Sequence, residues 1–246
     1  MVQLQSLPVE LWVETLMVLE DSRQLDSFKH FLLNCPEAKK HVRYLWIMGE
    51  GHTSWRLVDD ILASCTNIVS LACTSRTLTR LCASPSFAHV RCTELNLIET
   101  SHLWLDILES PHALQFCAQL TKLRLREGLT PELPKHCFPR LTHIAFSSRP
   151  IQEFLRRHLD TLKPLPALQH IVVTTFWWRE AVPDISVSEV LELDHRLAVL
   201  HCREKWSELG AWTQGVCGGF GLWEQAKLER RSMKVFSGAF RALQKG

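Results

Sequence analysis

Apolar residues recur along the chain as apolar-x-x-apolar-x-apolar, and the alternation at the end of this pattern favours a β-strand with one buried face. The pattern occurs seven times, and successive matches start 26, 24, 28, 21, 27 and 29 residues apart. The matches begin at Val42, Ile68, Cys92, Leu120, Leu141, Leu168 and Leu197. Because 46% of the residues are hydrophobic, a single match carries little weight. The prediction of seven strands depends on the regular interval. In the last match the pattern predicts that Leu200 and Cys202 lie on the buried face.

The intervals between the matches contain segments with helical periodicity. One predicted helix aligns Trp55, Val58, Ile61 and Leu62, another aligns Ile151, Phe154, Leu155, Leu159 and Leu162, and residues 102–109 form a shorter candidate. Strand, helix and strand in alternation predict right-handed crossovers and a parallel sheet. A period of this length is typical of leucine-rich repeats. We therefore predict an α/β fold, an irregular leucine-rich-repeat-like curved solenoid of parallel strands alternating with helices, with helical N- and C-terminal caps.

The ends of the chain define the predicted domain limits. Residues 7–19, and then the segment around Leu25, Phe28, Phe31 and Leu32, predict two helices in an N-terminal unit, residues 1–35. The solenoid is predicted over residues 36–214, with residues 128–139 as a proline-rich loop. After the glycines between 215 and 221, residues 222–243 predict one amphipathic helix, so that residues 215–246 cap the solenoid.

Composition and charge narrow the classes of partner. A net charge of +2 gives no field that would select nucleic acid, and the basic residues of the last predicted helix are interpreted as a solvated face. No apolar run has the length of a membrane span, and the N-terminus lacks the pattern of a secretory signal. We therefore expect neither nucleic acid nor membrane as a partner, and a cytoplasmic or nuclear location.

The polar residues suggest no catalytic or metal-binding motif. The nine cysteines include no Cys-x-x-Cys pair. Cys73, Cys92 and Cys202 fall at predicted inward strand positions, which favours small buried thiols over ligands. No Gly-x-Ser-x-Gly nucleophile motif is present, and the glycines after 215 are not followed by Lys-Ser or Lys-Thr. We predict no catalytic residue, no metal and no cofactor. A hydrolase on an α/β sheet remains an alternative, which requires a nucleophile at the end of a strand beside a histidine.

Trp177 and Trp178 form a candidate contact site for a protein partner. Consecutive residues at the end of a strand point to opposite sides, so both indoles cannot be buried in one core. Aromatic side chains at the rim of a fold are enriched in binding surfaces. We therefore expect one of the two to contact a partner.

Residues 7–16, Leu-Pro-Val-Glu-Leu-Trp-Val-Glu-Thr-Leu, resemble the start of an F-box, and the whole chain is similar to fungal F-box-like proteins with degenerate leucine-rich repeats. The resemblance implies binding of the adaptor of an SCF-type ubiquitin ligase, and presentation of an unknown protein substrate by the repeats. The adaptor-binding residues that it implies are Leu7, Pro8, Leu11, Trp12 and Leu16. After Asp21, however, the sequence does not resemble the second and third helices of an F-box. A leucine-rich-repeat scaffold that binds a protein partner without any ubiquitin-ligase connection is therefore the alternative. The two differ in whether residues 1–35 form a compact helical unit.

Overall fold

The computed structural model describes residues 15–48, 52–85, 89–99, 104–126, 133–147, 152–176, 193–202 and 206–243. Eight strands form one sheet in which each strand pairs in parallel with its neighbours in the chain, in the order β1 to β8. The strands are β1 (Thr15–Leu19), β2 (Val42–Ile47), β3 (Ser70–Thr74), β4 (Glu94–Glu99), β5 (Lys122–Leu125), β6 (His143–Ser147), β7 (His170–Phe176) and β8 (Leu197–Cys202). The α/β class and the alternation of parallel strands with helices are confirmed.

The register places apolar residues of the predicted pattern side by side. One row of paired residues is Leu45, Leu71, Leu95, Leu123, Ile144, Ile171 and Leu197. The next paired row is Cys73, Leu97, Leu125, Phe146, Val173 and Val199, and Ile47 of β2 lies in the same core. All of them are buried in one continuous core beneath the sheet. We call this side of the sheet the inner face and the opposite side the outer face.

Helices cover the inner face. They are α1 (Ser22–Asn34), α2 (His52–Ser64), α3 (Ser75–Ala83), α4 (Trp104–Leu108), α5 (Ala113–Gln119) and α6 (Gln152–Leu162), joined by 3-10 turns at Pro36–Lys40 and Lys135–Cys137. Their starts are encoded locally where a cap is present. Asp21 and Gln24 form a capping box at α1, and the Thr74 hydroxyl accepts a hydrogen bond from the Thr77 amide at α3. The predicted helices around Val58, Leu159 and Ile107 are confirmed, with these side chains in the core.

Two sequence predictions about strands are wrong. The predicted N-terminal helix does not include Thr15–Leu19, because these residues form β1 and pair with β2. The predicted register of β8 is also wrong. Leu197 and Val199 pair with Ile171 and Val173 and join the core. Leu200 and Cys202 therefore lie on the outer face, where Leu200 is partly buried and Cys202 is buried.

The predicted loop over residues 128–139 also contributes side chains to the main core. In its described part, Leu133, Cys137 and Phe138 are buried in the main core, and the Phe138 ring packs edge-on against Trp104 at 5.4 Å. The prolines of this segment predicted a loop and did not predict that these residues are buried. Within the described ranges, no helix is both long enough and apolar enough to span a membrane.

Candidate interaction surface on the outer face of the sheet

The outer face differs in chemistry from the inner face. Its middle row, read from β2 to β8, is Trp46, Ala72, Asn96, Arg124, Ala145, Val172 and Ala198. All seven side chains are buried although α1–α6 lie on the other side. They are covered by two C-terminal helices, α7 (Glu208–Val216) and α8 (Leu222–Leu243).

The bounds of α8 confirm the helix predicted over residues 222–243, but its position differs from a cap at the end of a stack. Leu222, Trp223 and Ala226 pack on Ala145, Val172 and Ala198, which lie on three successive strands. The first part of α8 therefore lies along the outer face. A tight turn sets this path: Gly218 has a φ of +73°, and a side chain at Gly221 would come within 2.5 Å of the Gly215 Cα.

Helix α7 is anchored by Trp212 over strands β2 to β4. The indole packs against Trp46 with 5.6 Å between ring centroids, and lies in one apolar cluster with Ala72 and Ile98. Its Nε1 donates a hydrogen bond of 3.0 Å to the Ser70 hydroxyl. Trp212 and Ser70 are 142 residues apart in sequence, so this contact joins α7 to β3 across a long stretch of the chain.

One turn before Trp212, Glu208 forms an ion pair with Arg124 of β5. The guanidinium donates from Nε to Oε2 at 2.7 Å, and from Nη2 to Oε1, in a bidentate arrangement. The side chains are only 6% and 9% exposed. The Arg124 guanidinium also lies 5.3 Å from the centre of the Trp206 ring. Removal of either charge would leave the other buried without compensation.

Helix α8 adds a second polar cluster at the amino ends of the strands. Trp223 Nε1 donates to Glu94 at 3.2 Å, and its ring packs edge-on against His143 at 5.3 Å. His143 stacks on His170 of the next strand at 4.5 Å, and Arg230 lies 3.1 Å from the His170 Nδ1. Burial, followed by the positive potential of neighbouring groups, lowers the pKa of His143 to about 3 and lowers that of His170 as well. Both imidazoles are therefore neutral at pH 7.

The interface between the outer face and its helices is incompletely hydrogen-bonded. Trp46 Nε1, Asn96 Oδ1, Arg124 Nη1 and Arg230 Nε are buried without a hydrogen-bond partner among the described residues. Asn96 and Arg124 line a small cavity of about 20 Å³ under α7. Unpaired buried polar groups destabilise a contact by roughly 1–3 kcal/mol each unless water reaches them.

A groove at the end of the sheet stays accessible beside this interface. It has a volume of about 460 Å³ and lies between β8, Trp206 and the first part of α8. Phe220 and Leu228 line it with 51% and 46% of their surface exposed. Two large apolar side chains so exposed in one groove are typical of a contact surface.

Of the predicted partner-binding residues, only Leu16 lies in the described part of the chain. It belongs to β1, pairs with Tyr44 and packs, half-buried, beside the Trp46 cluster. Leu7, Pro8, Leu11, Trp12, Trp177 and Trp178 lie outside the described residues. Sequence reasoning missed Arg124, Glu208 and Trp212. The sequence feature that could have indicated this site is Arg124, a charged residue between the inward-facing Leu123 and Leu125 of β5.

The cysteines have the character of core residues. All nine are free thiols, and only Cys35 and Cys217 are exposed. Burial raises the pKa of Cys65, Cys82 and Cys92 to about 12, so these thiols are not nucleophiles at neutral pH. Cys73 and Cys92 face the main core as predicted, whereas Cys202 is buried on the outer side. The described ranges contain no cluster of three or more potential metal ligands.

No protein-family model matches the sequence, and no curated protein matches it either. The function is therefore inferred from the fold, from the two faces of the sheet and from the motifs in the sequence.

Proposed function

We propose that this protein is a non-enzymatic protein-interaction module built as an irregular leucine-rich-repeat solenoid. The observation that carries the proposal is the sequential parallel order of β1 to β8, with Leu or Ile at seven aligned inward positions. Because helices are wider than strands, the helices α1–α6 that alternate with the strands on the inner face favour curvature of the whole stack. Repeat proteins of this kind bind other proteins through extended surfaces rather than through a single catalytic pocket.

The contacts of the described hydroxyls do not favour the hydrolase alternative. The Thr142 hydroxyl lies 2.8 Å from the His143 Nδ1, but it also donates to the Thr121 carbonyl at 2.9 Å. This pair stands at the amino end of β6, whereas ligands of parallel sheets bind beyond the carboxyl ends of the strands. The pair is therefore interpreted as part of the packing under α8.

Adaptor binding is a second candidate function, favoured by the F-box-like decapeptide at residues 7–16. The position of the following residues argues for the scaffold instead. β1 begins at Thr15 and joins the sheet, and α1 packs Leu25, Phe28 and Leu32 into the main core. Strand β1 and helix α1 thus belong to the same sheet and core as the rest of the chain, which does not favour an independent helical unit over residues 1–35. An F-box-like helix in this chain would have to end before Thr15, where β1 begins.

The adaptor assay separates these two candidates. The purified chain and a Leu11→Asp, Trp12→Asp variant are titrated with the SCF adaptor, and binding is measured by calorimetry. The matched control is Leu33→Asp, Leu114→Asp, since these leucines are 60% and 55% exposed in α1 and α5. Binding that only the first variant loses identifies a ubiquitin-ligase receptor. If the folded chain does not bind the adaptor, the scaffold without a ubiquitin-ligase connection remains as the function.

The interaction proposal itself is tested by cross-linked capture from extracts of the source cells. A Phe220→Asp, Leu228→Asp variant changes the accessible groove beside β8, and the Leu33→Asp, Leu114→Asp variant is again the control. We expect a protein that is retained by the wild-type chain and the control but lost from the groove variant. Identical captured sets for all three chains would contradict a specific contact at this groove.

A further inference from the structure

We propose that the outer face of the sheet is a binding site for an α-helical protein segment that carries a glutamate and a tryptophan four residues apart, and that α7 occupies this site in cis. The inference rests on the proposed function as an interaction module. It adds the chemical class of partner and a competition between that partner and the chain's own helix.

The recognition chemistry is defined by the residues under α7. Glu208 and Trp212 are at positions i and i+4, so both project from one side of the helix onto the sheet. Arg124 supplies a planar donor pair for the carboxylate, and Ser70 accepts from the indole while Trp46 packs against its ring. A buried arginine beside a tryptophan-lined pocket is typical of the residues that dominate binding energy in interfaces. An amphipathic helix laid into an apolar groove is a common mode of peptide recognition.

Helix α7, which occupies this site, has a low intrinsic helix stability. Helix α7 has nine residues and contains Gly210 and Gly215, each of which disfavours a helix by roughly 1 kcal/mol relative to alanine. Helices this short are not stable in isolation, so α7 depends on its contacts with the sheet. A partner helix with the same two anchors and stronger helix-forming residues would require less free energy to become helical, which offsets the advantage that α7 has as a tethered segment.

The sheet side of the interface also retains unused hydrogen-bonding capacity. Asn96 and Arg124 are 4% and 5% exposed, yet Asn96 Oδ1 and Arg124 Nη1 have no partner among the described residues. Both line the cavity of about 20 Å³ beneath Trp212 and Gly215. A partner with a polar side chain where α7 has Gly215 would reach these atoms, which gives it an advantage that α7 lacks.

The test is an exchange experiment with the full-length chain. The probe is a fluorescein-labelled synthetic peptide of residues 206–243, and the receptors are the wild-type chain and a Glu208→Arg, Trp212→Ala variant, which keeps the outer face but weakens its occupant in cis. We expect the variant to bind the peptide about tenfold or more tightly by fluorescence anisotropy, because its site is vacated more often. A Gln214→Arg receptor, changed at an exposed position of α7, should bind as weakly as the wild type.

A charge exchange establishes where the peptide binds. Adding Arg124→Glu to the double variant should abolish binding of the natural peptide, and a Glu208→Arg peptide should restore it. A Trp212→Ala peptide should bind neither receptor. If the double variant does not fold, as judged by circular dichroism, a Glu208→Gln receptor provides the same comparison with Trp212 kept. Folded variants that bind no better than the wild type would overturn the proposal and make α7 a fixed part of the fold. The assay contains no adaptor and no cell extract. A negative result would therefore contradict the competition at the α7 site without contradicting the proposed interaction module.

Discussion

Beneath the sheet, α1–α6 meet strand residues that are almost all aliphatic or aromatic, whereas on the other side α7 and α8 also meet glutamate, asparagine, arginine and histidine. The inner contacts join elements that are close in sequence, and their apolar groups need no partners. The outer contacts join residues such as Ser70 and Trp212 and depend on matched hydrogen bonds and charges. The inner face is therefore stabilised mainly by apolar burial, and the outer face also by hydrogen bonds and an ion pair.

The largest expected effect is on the inner face. Phe116 of α5 is fully buried in the main core, so Phe116→Ala should lower the free energy of unfolding by about 3–5 kcal/mol in urea titrations. Leu114→Ala in the same helix is the control, because Leu114 is 55% exposed and should change stability by less than about 0.5 kcal/mol. Equal effects of the two changes would show that α5 does not pack on the sheet as described.

The next largest effect is expected at the buried ion pair. Glu208→Ala leaves the Arg124 guanidinium buried without its partner and should destabilise the protein by about 3 kcal/mol. The Arg124→Leu, Glu208→Leu double variant should lose less, since no charge remains to be desolvated. A double-mutant cycle measures the coupling between the two residues. Strictly additive losses would mean that the two side chains do not interact in solution.

A smaller effect should follow from pH. Because the pKa of both His143 and His170 is lowered in the folded protein, the released state binds more protons as the pH falls below about 6.5. The free energy that holds α8 on the sheet should thus have its full value above that pH. It should fall as the pH decreases toward about 3, by less than about 1.4 kcal/mol per pH unit for each histidine. Lys122, Lys227 and Arg230 are the neighbouring cations, balanced in part by ion pairs of Lys122 with Glu94 and of Lys227 with Glu224.

Hydrogen exchange at pH 7 and pH 5 measures this effect locally. The amides of α8 should exchange faster at the lower pH, after correction for intrinsic rates, while those of β4 should keep their protection. His89 and His158 also have a lowered pKa and belong to the inner side, so a change spread over both faces would implicate them instead. A His143→Gln variant should remove most of the pH dependence in α8.

The smallest effect is expected at the start of α1. Asp21→Ala removes the side chain that accepts from the Gln24 amide and should reduce the free energy of unfolding by about 1 kcal/mol. Asp21→Asn keeps an acceptor at the same position and should be nearly neutral. A loss in Asp21→Asn as large as in Asp21→Ala would mean that the charge, and not the cap, stabilises this helix.

These two kinds of packing explain which features could be predicted from sequence. The seven strand matches were all confirmed as strands because Leu45, Leu95 and Leu123 follow a local rule that repeats. β1 was missed because the apolar run Leu16–Met17–Val18–Leu19 fits a helix as well as a strand. The β8 register was wrong for a related reason: α8 buries its outer face, so Leu200 is apolar although it does not face the main core. The ion pair of Arg124 with Glu208 could not be predicted, since no periodicity connects residues 84 positions apart.

The order of the strands across the sheet is also the order of their synthesis on the ribosome. Each new strand finds its partner already made, so the sheet can assemble while translation continues. The segment that covers Trp46, Ala72 and Ile98 follows all eight strands in the chain. A nascent chain arrested before residue 206 should therefore display an apolar stripe that cross-links to chaperones, and synthesis through residue 243 should end that contact.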